Sequence, residues 1–230
     1  MPASTSRNYA LITEVNPKSP ISEAYRALRT NIQFSSVDDP VKVIVVTSAQ
    51  PEEGKSTTIS NLAVTYAAEG KKVLLLDADL RKPTLHRYLS ESNRLGLSNY
   101  LSGKYAVEDV VLDTKIANLS LITSGSIPPN PSELLSSKKM SALITQLKED
   151  FDMVLIDSPP VLAVTDAQIL SNIVDGTVLV VNHGKVKRDA ARKAISQLTH
   201  AKAKVLGVVL NNKEMSKKES SYYYYYAQKD

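Results

Sequence analysis

Residues 49–57 read Ala49-Gln50-Pro51-Glu52-Glu53-Gly54-Lys55-Ser56-Thr57, which is the spacing of a Walker A phosphate-binding loop with alanine in place of the first glycine. An apolar run precedes the loop and a helical pattern follows it. Gly54 lets the main chain approach a phosphate, while successive N–H groups and the helix N-terminus form an anion nest. Lys55 is expected to reach the β- and γ-phosphates, and the Ser56 hydroxyl to bind Mg²⁺. The alternative is a solvated turn that caps a helix, and the order of strand, loop and helix argues against it.

Short β-branched runs alternate with amphipathic stretches along the rest of the chain. The predicted strands are 41–46, 72–77, 119–123, 153–157, 177–181 and 204–210, and the predicted helices lie near 22–32, 55–69, 132–150, 166–174 and 187–200. Apolar strands separated by helices predict an α/β fold, a doubly wound and mostly parallel sheet with helices on both faces. The ligand of such a sheet lies at the carboxyl ends of the strands. We assign residues 1–212 to this domain and 213–230 to a flexible C-terminal tail.

Composition excludes several classes of protein. The chain has 230 residues, and its net charge of +4 is spread without a polybasic block, so no nucleic-acid partner is expected. It contains no cysteine, which excludes disulfides, thiolate zinc sites and cysteine-bound iron–sulfur clusters. The sequence has neither a signal-peptide pattern nor 18 continuous apolar residues, so any membrane link is expected to come through a partner.

Two acidic motifs follow predicted strands. Asp77 and Asp79 end the second run, and residues two apart point the same way in an extended chain. Asp157 ends the fourth run, where a Walker B acid belongs. Three carboxylates would repel a triphosphate unless Mg²⁺ intervened, and the metal would also let one of them serve as a base. Each could alternatively be a helix cap or a turn residue, but their order after the phosphate loop favours a metal site.

The C-terminal tail carries a cluster of tyrosines. Five of the eleven tyrosines are consecutive: Tyr222, Tyr223, Tyr224, Tyr225 and Tyr226. The polar segment before them favours flexibility, and adjacent tyrosines on such a tail cannot all bury their rings. An edge strand or a sticky terminus is the structural alternative. Beside a nucleotide site, the cluster is better interpreted as a set of phosphate acceptors.

A third pattern lies in the first predicted helix. Glu23, Arg26 and Arg29 have i, i+3, i+6 spacing and therefore share one broad face. From the residues alone, an ion pair on a solvated face is the favoured interpretation.

Together these motifs resemble the bacterial tyrosine kinases, relatives of the MinD/ParA-type P-loop ATPases that act in capsule and exopolysaccharide production. The likeness covers about residues 15–226. Its motifs are the phosphate loop, a second Walker motif at 74–83, the Asp157 motif at 154–160, Glu23-x-x-Arg26-x-x-Arg29, segments 128–135 and 165–167, and the terminal tyrosines.

The resemblance implies an ATP- and Mg²⁺-dependent protein-tyrosine kinase. Residues 49–57 would bind the nucleotide, Lys55 would act at the transferred phosphate, and Asn211 would contact adenine. Ser56, Asp79 and Asp157 would support the metal. Asp77 would accept the proton of the tyrosine hydroxyl, although a metal role for Asp77 would leave the same sequence. Because Lys55 is expected to supply charge and not packing, Lys55→Met should leave the fold intact.

The resemblance also implies an assembly. The Glu23, Arg26 and Arg29 helix would lie at the subunit contacts of a ring, in which each tail reaches the neighbouring site and is phosphorylated in trans. The implied partners are a transmembrane activator of the polysaccharide co-polymerase type and a cognate protein-tyrosine phosphatase. The kinase would be cytoplasmic, recruited to the inner membrane face by the activator, and would regulate capsular or exopolysaccharide synthesis and export.

One residue departs from the family pattern, and one function competes. Glu52 stands where the family usually has glycine, and we expect its side chain to point to solvent. A charge there should weaken nucleotide binding if it pointed inward. The competing function is a MinD/ParA-like ATPase switch without kinase activity, against which the tyrosine tail and the Glu23 helix argue.

Overall fold

A seven-stranded sheet forms the centre of the protein in a computed structural model, which describes residues 9–35 and 40–214. The strands are β1 Val43–Ser48, β2 Val73–Asp77, β3 Leu112–Asp113, β4 Leu119–Ile122, β5 Met153–Asp157, β6 Gly176–Asn182 and β7 Val205–Asn211. The helices are α1 Ile12–Val15, α2 Pro20–Phe34, α3 Lys55–Ala67, α4 Leu85–Tyr88, α5 Leu97–Leu101, α6 Pro131–Leu135, α7 Lys138–Asp150, α8 Asp166–Ser171 and α9 Arg188–His200.

The sheet has the order β3-β4-β2-β5-β1-β6-β7 and is parallel except where β3 pairs with β4. Strands β1, β2, β5 and β6 are buried along their whole length, as runs apolar on both faces require. The predicted doubly wound, mostly parallel sheet is therefore confirmed. Asp77 and Asp157 are register partners at the ends of β2 and β5, and Asp157 is also paired with Val46 of β1.

Helix α3 explains how the phosphate loop is held. All but two of its thirteen residues are buried, because the sheet lies on one side and α2 packs on the other. Helix α2 begins at Pro20, where proline is favoured, and the Ser19 hydroxyl accepts the N–H of Ser22 as an N-cap.

Several predicted helix and strand boundaries were wrong, and so was the predicted burial of the last strand on both faces. The helix predicted at 132–150 is two helices, α6 and α7, separated at Ser136 and Ser137, and the Ser137 side chain caps α7. Strand β7 is not covered on both faces, since Val208 and Leu210 are about half exposed. Helices α1, α4 and α5 and strand β3 are too short for a periodic signal. Within residues 9–35 and 40–214, no helix combines the length and the apolar character needed to cross a membrane.

Candidate active site

The phosphate loop joins β1 to α3 by a left-handed residue. Gly54 has φ 87° and ψ 20° and lies immediately before α3. A β-carbon at this position would come 2.0 Å from the Asn211 side-chain nitrogen. Glycine is therefore required both by the backbone conformation and by the close approach of β7.

The Glu53 carboxylate holds the phosphate loop in place, a role that the sequence did not predict. Its side chain is buried, at 2% exposure. One carboxylate oxygen accepts the N–H of Gln50 in the same loop, and the other accepts the N–H of Asn182 at the end of β6 over 3.0 Å. Burial raises the pKa of Glu53, while these N–H donors oppose the shift. Glu53 therefore ties the curvature of the loop to the neighbouring strand.

Asn211 approaches the same loop from β7. Its side-chain amide donates to the main-chain oxygen of Glu53 over 2.9 Å, so its nitrogen is bonded to the loop. The residue also lines a pocket of about 300 Å³ beside the loop. The pocket residues are Ala10, Ile12, Ile21, Tyr25, Glu52, Gly54, Thr57, Asn61, Asn211 and Asn212. Its mixed apolar and amide lining is suited to a nucleoside.

The predicted phosphate and metal residues converge at the carboxyl ends of the strands. The Lys55 ammonium lies 3.1 Å from Asp79 Oδ2, 3.5 Å from Asp157 Oδ1 and 3.3 Å from Ser56 Oγ. The Ser56 hydroxyl donates to Asp157 Oδ2 over 2.5 Å. Burial alone would lower the pKa of Lys55, but the charges of Asp157 and Asp79 outweigh it and raise the pKa. Lys55 is therefore a permanent cation at this site.

The donor set fits a divalent cation with a bound phosphate. Asp157 Oδ1 is fully buried and has the Lys55 ion pair but no hydrogen bond among the described residues, which leaves a lone pair for a metal. No group of three or more His, Asp or Glu side chains within the described ranges is placed to hold a metal by itself. Mg²⁺ usually takes one or two carboxylates and completes its shell with water and substrate phosphates. Ser56, Asp79 and Asp157 match that pattern, and they would hold the ion against a bound phosphate.

Asp77 lies beside this cluster and is completely buried. One oxygen accepts the N–H of Asp79, and the other accepts the N–H groups of Thr84 and Leu85 over 3.1 and 3.0 Å. Burial raises the pKa of Asp77, and the adjacent Asp157 charge raises it further. Asp77 therefore combines a fixed carboxylate plane with an increased affinity for a proton.

An ion pair joins three of the sequence segments that resemble the bacterial tyrosine kinases. Arg81 donates two hydrogen bonds to the buried Asp166, over 2.9 and 3.1 Å, and a third to the Ser132 hydroxyl. The Ser132 hydroxyl in turn donates to Asp166 over 2.7 Å. The paired geometry joins the loop after β2 to α6 and α8.

The side chain of Thr57, the last loop residue, faces a tyrosine. The Thr57 hydroxyl lies 2.6 Å from the Tyr88 hydroxyl, and the Tyr88 ring meets Tyr9 edge to face. The Thr57 carbonyl accepts from Asn61, whose side chain also accepts the N–H and hydroxyl of Thr13. The segment around α1 is thereby attached to the first turn of α3.

Glu52 is exposed, but it also lines the pocket beside the phosphate loop. Its main chain has φ 65°, in the left-handed region that favours glycine. The departure from the family pattern is therefore accompanied by backbone strain.

The Glu23, Arg26 and Arg29 side chains do not share one environment. Arg26 pairs with Glu23 over 2.7 Å at the surface and also donates to the carbonyl of Pro17. Arg29 is turned inward, where it donates to the carbonyl of Thr65 and pairs with Glu69. The structure thus separates a surface ion pair from an arginine that fastens α2 to α3. The acceptor tyrosines Tyr222–Tyr226 lie outside the described residues.

Comparison with known proteins places this geometry in a family. Residues 40–229 match the family model described as "ParA: NUBPL iron-transfer P-loop NTPase". Because the chain has no cysteine, thiolate ligation of iron does not extend to it. The nucleotide-binding fold with its metal does extend to it, and the predicted P-loop NTPase class is confirmed.

Three similar proteins identify a narrower family within the P-loop NTPases. The chain is 51% identical over 211 residues to tyrosine-protein kinase YwqD of Bacillus subtilis (strain 168), covering 92% of this chain and 88% of the relative. The chimerical protein CapA2B2 superposes with a TM-score of 0.86 at 44% identity, covering 89% and 90% of the two chains. The kinase domain of the Escherichia coli tyrosine kinase ETK gives 0.84 at 33% identity, covering 90% and 82%. The chain belongs to the bacterial tyrosine-protein kinases, within the ParA-like P-loop NTPases.

Proposed function

We propose that this kinase uses ATP and Mg²⁺ to phosphorylate the tyrosine cluster Tyr222–Tyr226, in trans between the subunits of a ring. The observation that carries the proposal is the convergence of Lys55, Asp79, Asp157 and Ser56 on one point, next to a buried carboxylate that favours a proton. Mg²⁺ would neutralise phosphate charge there and polarise the transferred group. Lys55 exchanges its carboxylate contacts for the γ-phosphate oxygens.

Asp77 is the proposed base. The tyrosine oxygen forms a bond to phosphorus as the bond to the ADP oxygen breaks, and the hydroxyl proton passes to Asp77. Its raised pKa is suited to accepting that proton near neutral pH. The three N–H groups that hold its carboxylate limit its rotation toward the metal ligands.

The orientation of the Asn211 side-chain amide favours adenine as the base bound in the pocket beside the loop. Because its nitrogen donates to Glu53, its side-chain oxygen is the group left to receive a hydrogen bond. Adenine offers an amino donor at the edge where guanine offers a carbonyl oxygen. This amide orientation therefore supports ATP over GTP.

The proposed assembly uses Glu23 and Arg26 at the subunit contact, with Arg29 setting the position of α2. The similar protein CapA2B2 is a chimera, which supports a second component beside the kinase in that relative. For this chain we propose a transmembrane activator that recruits the kinase to the cytoplasmic membrane face, a phosphatase that resets the tail, and control of capsular or exopolysaccharide synthesis and export.

The deciding experiment is intact mass spectrometry of the purified full chain with ATP and Mg²⁺, with and without the cytoplasmic segment of the activator. We expect mass increases of whole phosphates, lost when Tyr222–Tyr226 are all replaced by Phe. ATP hydrolysis with no phosphate on the chain would instead indicate the MinD/ParA-like switch.

The role of Asp77 is separable from that of the metal ligands. Asp77→Asn should slow phosphoryl transfer with nearly unchanged Mg²⁺–nucleotide affinity, whereas Asp79→Asn and Asp157→Asn should weaken that affinity. Titration calorimetry distinguishes them. An equal loss of affinity in Asp77→Asn would remove it as the base.

A further inference from the structure

Helix α9 and the loops on either side of it carry a basic surface that the nucleotide site does not use. Seven cations in residues 185–204 are exposed: Lys185, Lys187, Arg188, Arg192, Lys193, Lys202 and Lys204. We call them the basic face. Asp189 is the one acid in the same segment, and it pairs with Arg192 over 3.5 Å. The sequence alone showed no polybasic block, because the cations are interrupted by Val186 and by the residues that α9 buries.

The packing of α9 turns its own three cations, Arg188, Arg192 and Lys193, outward. Ala194 and Leu198 are fully buried against Leu179 and Val181 of β6, so the opposite side of the helix is available to solvent. Among residues 9–35 and 40–214, no carboxylate lies within ion-pair distance of Lys187, Arg188 or Lys193. Without Lys204, the six remaining cations and Asp189 give a surface of about +5 net charge, which favours an anionic partner.

The basic face begins where the tail begins. Asn182 and Asn211 are register partners at the ends of β6 and β7, and the His183 N–H donates to the Asn211 carbonyl over 2.8 Å. The segment leading to Lys185, Lys187 and α9 therefore starts beside the last strand of the chain. Tyr222 is eight positions after Glu214, a reach of up to about 28 Å, whereas the thirteen residues of α9 span about 20 Å.

Phosphorylation would reverse the charge of this tail. Residues 213–230 contain four basic and three acidic side chains, so the unmodified tail is repelled weakly by the basic face. Each phosphotyrosine adds about −1.5 to −2, and five of them would bring the tail to roughly −8. Phosphate groups also form strong, charge-assisted hydrogen bonds with arginine and lysine.

We propose that the basic face of α9 is a docking site for the phosphorylated tyrosine tail of its own chain. Docking removes the tail from a neighbouring active site, and the unmodified tail stays available to react. The inference rests on the proposed function, since the tail must be phosphorylated for the docking to occur. It adds a binding site for the product of that reaction.

A synthetic peptide tests the docking without requiring kinase activity. A fluorescent peptide of residues 213–230 with five phosphotyrosines is titrated with the full, unphosphorylated chain, with Mg²⁺–ADP present to fill the nucleotide site. We expect saturable binding that weakens with salt, and none by the unphosphorylated peptide. Lys187→Glu/Arg188→Glu/Lys193→Glu should weaken binding at least about tenfold, because three charge-assisted contacts are lost.

The matched control reverses three exposed cations elsewhere. Lys71→Glu/Lys104→Glu/Lys115→Glu has the same net charge, and Lys115 follows β3 at the opposite edge of the sheet. We expect its affinity to change less than about twofold, and light scattering should give both variants the wild-type mass. Equal affinities in the two variants would overturn the proposal. The proposal would also be overturned if the α9 variant alone lost binding to phosphatidylserine vesicles but still bound the phosphopeptide. That result would identify a membrane-facing surface. Failure of autophosphorylation by intact mass would refute the proposed function alone.

Discussion

The side-chain amide of Asn211 donates a hydrogen bond to the main-chain carbonyl of Glu53, and so joins the end of β7 to the phosphate-binding loop. The same nitrogen occupies the space that a β-carbon at Gly54 would need. Asn211 and Gly54 are therefore coupled by one contact, although 157 positions separate them.

Gly54→Ala should destabilise the protein by about 2 kcal/mol, because it strains the left-handed backbone and displaces Asn211. Asn211→Ala should cost about 1 kcal/mol, the value of one hydrogen bond. Because both changes lose the same contact, the double variant should cost less than the sum. Urea denaturation of the three variants measures this. Strict additivity would mean that Asn211 does not limit the residue at position 54.

The main features of this site could be predicted from the sequence because each follows a strand. The positions of Lys55, Asp79 and Asp157 follow from the rule that parallel strands deliver ligand-binding groups at one edge. Glu53 could not be predicted, because a charged residue in a loop ordinarily indicates solvent. Its burial depends on the distant Asn182 N–H.

The contacts that helical side chains make are similarly hard to predict from the sequence. Periodicity places Glu23, Arg26 and Arg29 on one broad face, but it does not show which partner each side chain meets. The inward turn of Arg29 depends on the packing of α2 against the last turn of α3. Similarly, the break between α6 and α7 is set by Ser137, whose side chain caps a new helix.

Glu52→Gly should relieve the left-handed strain at position 52. The relief of about 1–2 kcal/mol is partly offset by the greater freedom of glycine in the unfolded chain, so we expect a net gain of up to about 1 kcal/mol. Glu52→Gln is the control, because it removes the charge and retains the β-carbon. Melting temperature should rise only for the glycine variant. If glutamine produced the same rise, charge and not backbone strain would be the cause.

Lys55→Met should reduce stability as well as activity, contrary to what the sequence alone predicted. Lys55 pairs with the buried Asp157 and with Asp79, and its loss leaves two carboxylates without their cation. Removing one partner of a buried pair costs about 3 kcal/mol. Chemical denaturation without nucleotide measures the change, with Lys71→Met at an exposed position as control. A Lys55 variant as stable as wild type would show that the carboxylates are neutral without nucleotide.

Asp175→Asn should destabilise the protein in a pH-dependent way. Burial alone would raise the pKa of Asp175, but the Lys148 ammonium and the N–H groups of Val43 and Lys42 outweigh it and lower the pKa. A lowered folded-state pKa gives stability that is complete above the unfolded-state pKa and is lost as the pH falls through the folded-state pKa.

At pH 7 the Asp175→Asn variant should therefore lose about 2 kcal/mol, and the difference from wild type should shrink as the pH falls below the ordinary aspartate pKa of 3.8. Lys148→Met should lose less, because the two N–H donors remain and Lys148 is 44% exposed. Urea denaturation at pH 7 and below the ordinary aspartate pKa provides the comparison. A difference independent of pH would assign the effect to packing.

The two arginines of α2 should have separable effects on folding and on assembly. Arg29 is 11% exposed and donates to the Thr65 carbonyl near the end of α3, so Arg29→Ala should cost about 2 kcal/mol. The pair of Glu23 and Arg26 lies at the surface, and Glu23→Ala/Arg26→Ala should cost under about 0.5 kcal/mol.

If these two side chains form the subunit contact, the double variant should be a folded monomer with a near wild-type melting temperature. Light scattering and thermal denaturation on the same samples make the test. A double variant that keeps the full oligomer mass would restrict this motif to holding α2 on α3.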